Sequence, residues 1–146
     1  MSLEAALEQA AVTGDARALL EAIPYLQFLG VESAGDGAYR LRFGEHLIGN
    51  PTIPALHGGT LGALLESVAL LTSLTSARAA ALPKTITLTV EYLRSAKAQD
   101  VWARAHVVKA GRRVTTLRVT AWQDDEATPV ATATVHLRVF PAQVST

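Results

Sequence analysis

The pattern of apolar and polar positions along the chain predicts one long buried helix between two groups of strands. From about His57 or Gly58 towards Ala81, apolar side chains and glycine occupy most positions on every side of the helix. A helix that is apolar nearly all round is normally enclosed by other structure. Pro83 ends this segment, because proline cannot continue a helix interior. We therefore expect the helix at the centre of the fold.

Strand patterns lie on both sides of this helix. Before it, residues 28–43 alternate between apolar and polar side chains around a turn at Gly35, Asp36 and Gly37, which predicts a hairpin. After it, four segments alternate with period two: Thr85–Leu93, Val101–Lys109, Val114–Trp122 and Val130–Phe140. Short polar turns join these four segments, and such an arrangement predicts an antiparallel meander.

The remaining segments are short helices and a loop. Leu3–Ala11 and Ala16–Ile23 are each predicted to be helical, with Pro24 closing the second helix. Residues 44–56 contain glycines and prolines that predict a loop. A single antiparallel sheet curled around one helix satisfies this order, because only the sheet can cover the helix on most sides. The sequence thus predicts an α+β domain at 25–141, a helical extension at 1–24 and a tail at 142–146.

Composition excludes several classes of function. The 146 residues suit one domain. Thirteen basic residues balance thirteen acidic ones, so no global field attracts nucleic acid or an anionic membrane. The absence of cysteine excludes disulfides and thiolate chemistry, and the histidines lack the spacing of metal ligands. The first residues do not resemble a secretion signal. We therefore expect a cytoplasmic protein with no metal, no cofactor, and no nucleic-acid or membrane partner.

Glu66 is the first candidate for chemistry, because it is the only charged residue between positions 57 and 78. Gly62, Ala63 and Ala69 lie one helical turn away from it. Such small side chains leave room for a ligand beside the carboxylate. A lone glutamate on a helix more often faces solvent or an arginine, but these small neighbours favour a functional site.

His57, Gly58 and Gly59 form the second candidate. Consecutive glycines at the start of a helix expose backbone N–H groups with no side chain in the way. These groups, together with the helix dipole, are suited to hold an oxyanion. The glycines would equally allow a tight turn, and a histidine here is more often a capping or packing residue than a base.

In combination these motifs resemble the signature of hot-dog-fold thioesterases. The signature comprises Asn-Pro at 50–51, Leu-His-Gly-Gly at 56–59, and Glu66 nine residues after the histidine. Two later segments add to the resemblance: Thr89–Ala96 and Val107–Arg113. The similarity extends from about Ile23 to Phe140 and is nearest to the phenylacetate-pathway and 4-hydroxybenzoyl-CoA thioesterase type. It implies a hot-dog fold and hydrolysis of acyl-CoA.

The resemblance also implies a role for each position of the signature. Glu66 would act as general base or nucleophile, and the N–H of Gly58 would polarise the thioester carbonyl. Asn50 would orient the substrate or the attacking water. His57 and Gly59 flank the oxyanion position.

Two departures from the family pattern concern the attacking water. The loop between Asn50 and His57 holds one residue more than this pattern commonly has. Leu70 stands one turn after the carboxylate, where related enzymes often carry a hydroxyl. Ser67 and Ser73 are the nearest hydroxyls that could substitute for it.

Five cations are candidates for binding the phosphates of CoA. The first three flank the Gly111 turn, and the other two follow the preceding strand segment: Lys109, Arg112 and Arg113, then Arg94 and Lys97. We expect them to gather near one edge of the sheet, where they would suit phosphate groups. Basic residues in turns also serve solubility alone, so this assignment depends on the resemblance.

Helix geometry predicts that the active unit is a dimer. Eight residues separate Gly58 from Glu66, which is about 12 Å at 1.5 Å per residue. One thioester carbon cannot touch both groups. If both act on one substrate they belong to different chains across a two-fold axis. The smallest active unit is then a homodimer, with a dimer of dimers as a larger assembly.

Two other functions are compatible with the same residues. A hot-dog hydratase or dehydratase would pair His57 with Glu66 for proton transfer. A non-catalytic acyl-CoA sensor would keep Glu66 as a structural acid. The double glycine favours hydrolysis over the first, and the lack of a DNA-binding segment disfavours the second. The identity of the acyl group does not follow from the fold.

Overall fold

The computed structural model describes residues 1–76, 79 and 81–140. The helices in these residues are α1 Leu3–Thr13, α2 Arg17–Ala22, α3 Pro24–Leu29 and α4 Gly58–Ser76. The strands are β1 Val31–Gly35, β2 Ala38–Leu41, β3 Ile48–Asn50, β4 Ala55–Leu56, β5 Lys84–Tyr92, β6 Val101–Ala110, β7 Val114–Trp122 and β8 Ala131–Arg138. The predicted continuation of α4 through residues 77, 78 and 80 and the predicted tail at 142–146 lie outside the described residues.

Helix α4 lies against an antiparallel sheet, as the sequence predicts. Leu64, Leu65 and Val68 of α4 are fully buried, and the helix packs on β5, β6, β7 and β8. Burial along β7 and β8 alternates with period two, so one face of the sheet meets the helix and the other faces outward. By length and composition α4 could cross a membrane, but 56% of that window is buried within the chain. The predicted α+β fold is confirmed.

The order of the strands differs from the predicted meander. The sheet runs β1-β2-β6-β7-β8-β5, so only β6, β7 and β8 form a meander. β5 pairs with β8, with Leu88 opposite Val135. Between β5 and β6 the chain therefore passes from one edge of the sheet to its interior, beyond β8 and β7. β5 becomes an edge strand of nine residues.

The predicted end of the second helix before Pro24 is confirmed, since α2 ends at Ala22, but the strand start at Phe28 is wrong. Pro24 also opens a further helix, α3, because a proline in the first helical turn sacrifices no hydrogen bond. Phe28 lies within α3, and the first strand begins only after Gly30, which ends the helix at φ 82°. That left-handed conformation suits glycine.

The N-terminal helices share the core of the sheet domain. Ala6 and Ala10 of α1 are buried in the same apolar cluster as Leu65 of α4, and α1 packs against both α2 and α4. The predicted loop at 44–56 contains a short 3-10 turn at Glu45–Leu47 and the two-stranded hairpin β3–β4. That hairpin leads the chain directly into α4.

Candidate active site

A cavity of about 580 Å³ lies between α4, β5 and α3. Helix and strand run in opposite directions, since Tyr92 lies near Gly58 and Val90 near Gly62. Four residues of α4 advance about 6 Å and two residues of β5 about 6.6 Å, so every fourth helical residue stays level with every second strand residue. Leu88 then falls level with Glu66. The lining residues are Ile23, Tyr25, Leu26, Gly59, Gly62, Ala63, Glu66, Ser67, Leu70, Leu71, Leu74, Leu82, Pro83, Leu88, Val90 and Tyr92.

Among the residues that the structure describes, Glu66 is the only charged side chain in this lining. Gly62 and Ala63, one turn before it, also line the cavity, and these small residues leave the space that the sequence predicts. Ala69 does not belong to the lining and is fully buried in the core instead. Among the described residues the carboxylate of Glu66 has no hydrogen-bond or ion-pair partner. Its acceptor oxygens are therefore available to a ligand.

Hydroxyl groups near Glu66 are largely engaged by the protein. Ser67 lines the cavity, but its hydroxyl donates to the carbonyl oxygen of Ala63 at 2.6 Å. Ser73 is buried outside the lining. Leu70, one turn after the carboxylate, adds only apolar surface. Of the two serines considered for the attacking water, only Ser67 therefore lies in the cavity.

The start of α4 is built around His57. The ring Nδ1 of His57 accepts the N–H of Gly59 at 2.8 Å. The backbone N–H of His57 donates to the carbonyl oxygen of Leu47 at 2.8 Å. The side chain of His57 therefore caps the first turn of α4. The N–H of Gly58 has no protein acceptor within the described part of the chain. It is left available for an oxyanion.

Tyr92 holds the first turn of α4 against β5. Its hydroxyl donates to the carbonyl oxygen of Gly58 at 2.8 Å. A β-carbon at Gly58 would lie 3.3 Å from the Tyr92 ring, so the glycine permits this close approach. Sequence analysis did not assign Tyr92 a role in the site. Its alternation with Leu88 and Val90 in the strand was the signal that places all three on the cavity side.

Gly58 and Glu66 face different cavities of the chain. Gly58 borders a second cavity of about 360 Å³, together with Leu61 and Arg94. Glu66 is not part of that lining. Tyr92 borders both cavities and separates them. Within one chain, the N–H of Gly58 and the carboxylate of Glu66 therefore do not converge on a single atom.

Asn50 does not reach the cavity of Glu66 within one chain. Its side-chain oxygen accepts the N–H groups of Thr52 and Ile53 at 3.1 and 3.4 Å, which closes the β3–β4 turn. The neighbouring Gly49 packs against His57, where a β-carbon would come within 2.7 Å of the histidine. Asn50 thus supports the loop that leads into α4.

The five cations do not gather at one edge of a single chain, so that prediction is wrong. Lys109, Arg112 and Arg113 lie at the β6–β7 hairpin, at the end of the sheet where Val114 pairs with Arg138. The other two cations, Arg94 and Lys97, follow the C-terminal end of β5, which is the end away from the β6–β7 hairpin, and lie near Gln123. β6 alone spans ten residues, or about 33 Å. Antiparallel register places the two groups at opposite ends.

The wall formed by α3 was missed by sequence analysis. Ile23, Tyr25 and Leu26 line the cavity, although the sequence predicted a helix only up to Ile23 and no further helix after Pro24. No local pattern indicated the wall, because its position depends on how α3 packs against α4 and β5.

Comparisons with known proteins agree on one fold and one family. The family model for the acyl-CoA thioesterase N-terminal domain matches residues 49–138. A structure from the thioesterase superfamily, from Bordetella bronchiseptica, aligns with a TM-score of 0.74 and 25% identity over 93% of this chain and 98% of the other. No curated protein sequence matches the chain.

Two further structures share the fold. A candidate thioesterase of Ralstonia eutropha, named as phenylacetic acid degradation-related, aligns with a TM-score of 0.71 and 24% identity, over 91% of this chain and 98% of that one. A Bacillus halodurans protein solved with CoA aligns with a TM-score of 0.72 and 22% identity, over 92% and 88%.

Proposed function

This chain belongs to the acyl-CoA thioesterase family, whose model matches residues 49–138, and we propose that it hydrolyses acyl-CoA to free acid and CoA with Glu66 as the catalytic carboxylate. The observation that carries this assignment is the position of Glu66. Within the described part of the chain it is the only charged group in the lining of a largely apolar cavity of about 580 Å³. Cavities of this size are typical of small-molecule sites.

Glu66 can act on the thioester in two ways. As a general base it takes a proton from water, and the resulting hydroxide attacks the thioester carbon. As a nucleophile it forms an anhydride that water then hydrolyses. In both routes the carbonyl oxygen becomes an oxyanion, which the N–H of Gly58 stabilises. The C–S bond then breaks, and the CoA thiolate takes up a proton.

The separation of Gly58 from Glu66 supports an active site shared between two chains. β5 is an edge strand, and among the described residues no strand pairs with its outer side. A long unpaired edge favours pairing with another strand. We place a second copy there, antiparallel across a two-fold axis near Val90. Tyr92 of one chain then faces Leu88 of the other, and Gly58 of the partner subunit approaches Glu66.

The same two-fold pairing reunites the two groups of cations. It sets the end of one β5 beside the start of the other. Arg94 of the partner subunit and Lys97 of the partner subunit then lie at the same end of the joint sheet as the β6–β7 hairpin. A CoA molecule there would meet cations of both chains, which suits its phosphates. The similar fold of the CoA-bound Bacillus halodurans protein supports CoA as the ligand.

Replacing Glu66 by glutamine tests the catalytic assignment. The amide keeps the shape of the side chain but loses its basicity and nucleophilicity, so turnover should fall on the order of a hundredfold or more. Free-thiol release from a panel of acyl-CoA thioesters measures this. Glu21→Gln, the same change at an exposed position of α2, is the matched control and should keep full activity. Wild-type turnover in Glu66→Gln would refute the assignment.

A further inference from the structure

The cavity beside Glu66 has two chemically different ends. Towards the start of α4 it is lined by Gly59, Gly62 and Ala63, whose small side chains leave open space. Beyond Glu66 every α4 residue of the lining except Ser67 is a leucine: Leu70, Leu71 and Leu74. The thioester and its polar CoA arm suit the open end. The acyl group suits the leucine end, where apolar burial is favourable.

The length of the leucine end sets the size of the acyl group. Glu66 and Leu74 are eight residues apart on α4, which is about 12 Å along the helix. A fully extended protein chain advances about 3.3–3.6 Å per three bonds, or roughly 1.2 Å per bond, and an extended alkyl chain advances similarly. About ten bonds therefore span the distance from the carboxylate to Leu74. Leu82 and Pro83 also line the cavity.

On the basis of the thioesterase function proposed above, we propose that the preferred substrates are straight-chain acyl-CoA esters of roughly eight to ten carbons, a length set by the ~1.2 Å advance per bond. Their chains lie along α4 from Glu66 to Leu74. A single aromatic ring one methylene from the carbonyl ends near Leu70. It leaves Leu74 and Leu82 without a contact, so such a substrate forfeits the burial that the distal half of the cavity offers.

Tyr25 lines the cavity from the side of α3, while Phe28 on the same helix does not. The two rings stack with centroids 6.2 Å apart, and both side chains are more than half exposed. Removing either ring loses the same stacking contact. Only removal of Tyr25 also opens the cavity wall, so the two positions form a matched pair.

A series of saturated acyl-CoA esters tests the inference. From butyryl-CoA upward, kcat/KM should rise about fourfold per methylene, stop rising at roughly ten carbons and exceed that of phenylacetyl-CoA. Equal kcat/KM at all lengths, or a maximum for phenylacetyl-CoA, would overturn the inference and leave thioester hydrolysis standing. Failure to release thiol from any acyl-CoA would instead refute the proposed function itself.

Three variants locate the effect in the cavity. Leu70→Trp fills the leucine end and should lower the ratio of decanoyl-CoA to acetyl-CoA activity by about tenfold or more. Tyr25→Ala should raise the ratio of tetradecanoyl-CoA to octanoyl-CoA activity by several-fold. Phe28→Ala should leave both ratios unchanged. If Tyr25→Ala and Phe28→Ala behave alike, or if Leu70→Trp leaves the decanoyl ratio unchanged, the acyl chain does not lie along α4 as proposed.

Discussion

Mixing two inactive variants should restore activity if each active site is shared between chains. One parent is Glu66→Gln, which lacks the carboxylate. The other is Gly58→Pro, which lacks the N–H that we assign to the oxyanion. Proline is tolerated at the first position of a helix, and loss of one oxyanion donor typically costs about a hundredfold to a thousandfold in turnover. Both parents should therefore be nearly inactive.

The expected recovery follows from the geometry of α4. Gly58 and Glu66 are about 12 Å apart along the helix and border different cavities, so each site combines one group from each chain. In a mixed dimer one site collects both defects and the other collects neither. Random exchange at equal concentrations makes half of the dimers mixed. About a quarter of wild-type activity should therefore return.

The matched control is Gly58→Ala. It keeps the N–H but adds the same β-carbon, which lies 3.3 Å from the Tyr92 ring. Gly58→Ala should therefore retain far more activity than Gly58→Pro. Thiol release is measured before and after mixing, and mass spectrometry of differently tagged chains verifies subunit exchange. No recovery despite exchange would place the whole site within one chain. Equal losses in the alanine and proline variants would show that the β-carbon, and not the missing N–H, abolishes activity.

Two further predictions concern the surface cations and a buried tyrosine. Replacing Lys109, Arg112 and Arg113 by alanine should raise KM for CoA esters several-fold and flatten the salt dependence of KM. The KM for a thioester without the nucleotide should not change. Equal losses of activity on both substrates would indicate a structural role for the three cations. Burial, and secondarily the negative charge of Asp15, raises the pKa of Tyr39 to about 12 from its ordinary 10.0. The unfolded chain thus ionises first as pH rises, and the free energy of unfolding should fall by about 3 kcal/mol between these two pKa values. Urea titrations in which Tyr39→Phe shows the same decline would contradict this assignment.

Local patterns in the sequence determine the elements on which the site is built. β7 spans Val114–Trp122 as its alternation predicts, and α4 begins at Gly58 as its apolar run and double glycine predict. The position of Glu66 among small neighbours, and the capping role of His57, also follow from spacing along one helix. These features depend on residues within a few positions of one another, and helical or strand periodicity records such relations directly.

Only the tertiary structure decides which of these elements meet. Alternation shows that β5 is a strand, but its pairing with β8 depends on hydrogen bonds between residues far apart in the sequence, as in Leu88 with Val135. That pairing makes β5 an edge and sends the cations at the β6–β7 hairpin and those beyond β5 to opposite ends of the sheet. Likewise, α3 becomes a wall of the cavity only because it packs against α4 and β5. Such relations arise from the packing of distant segments, and no local periodicity records them.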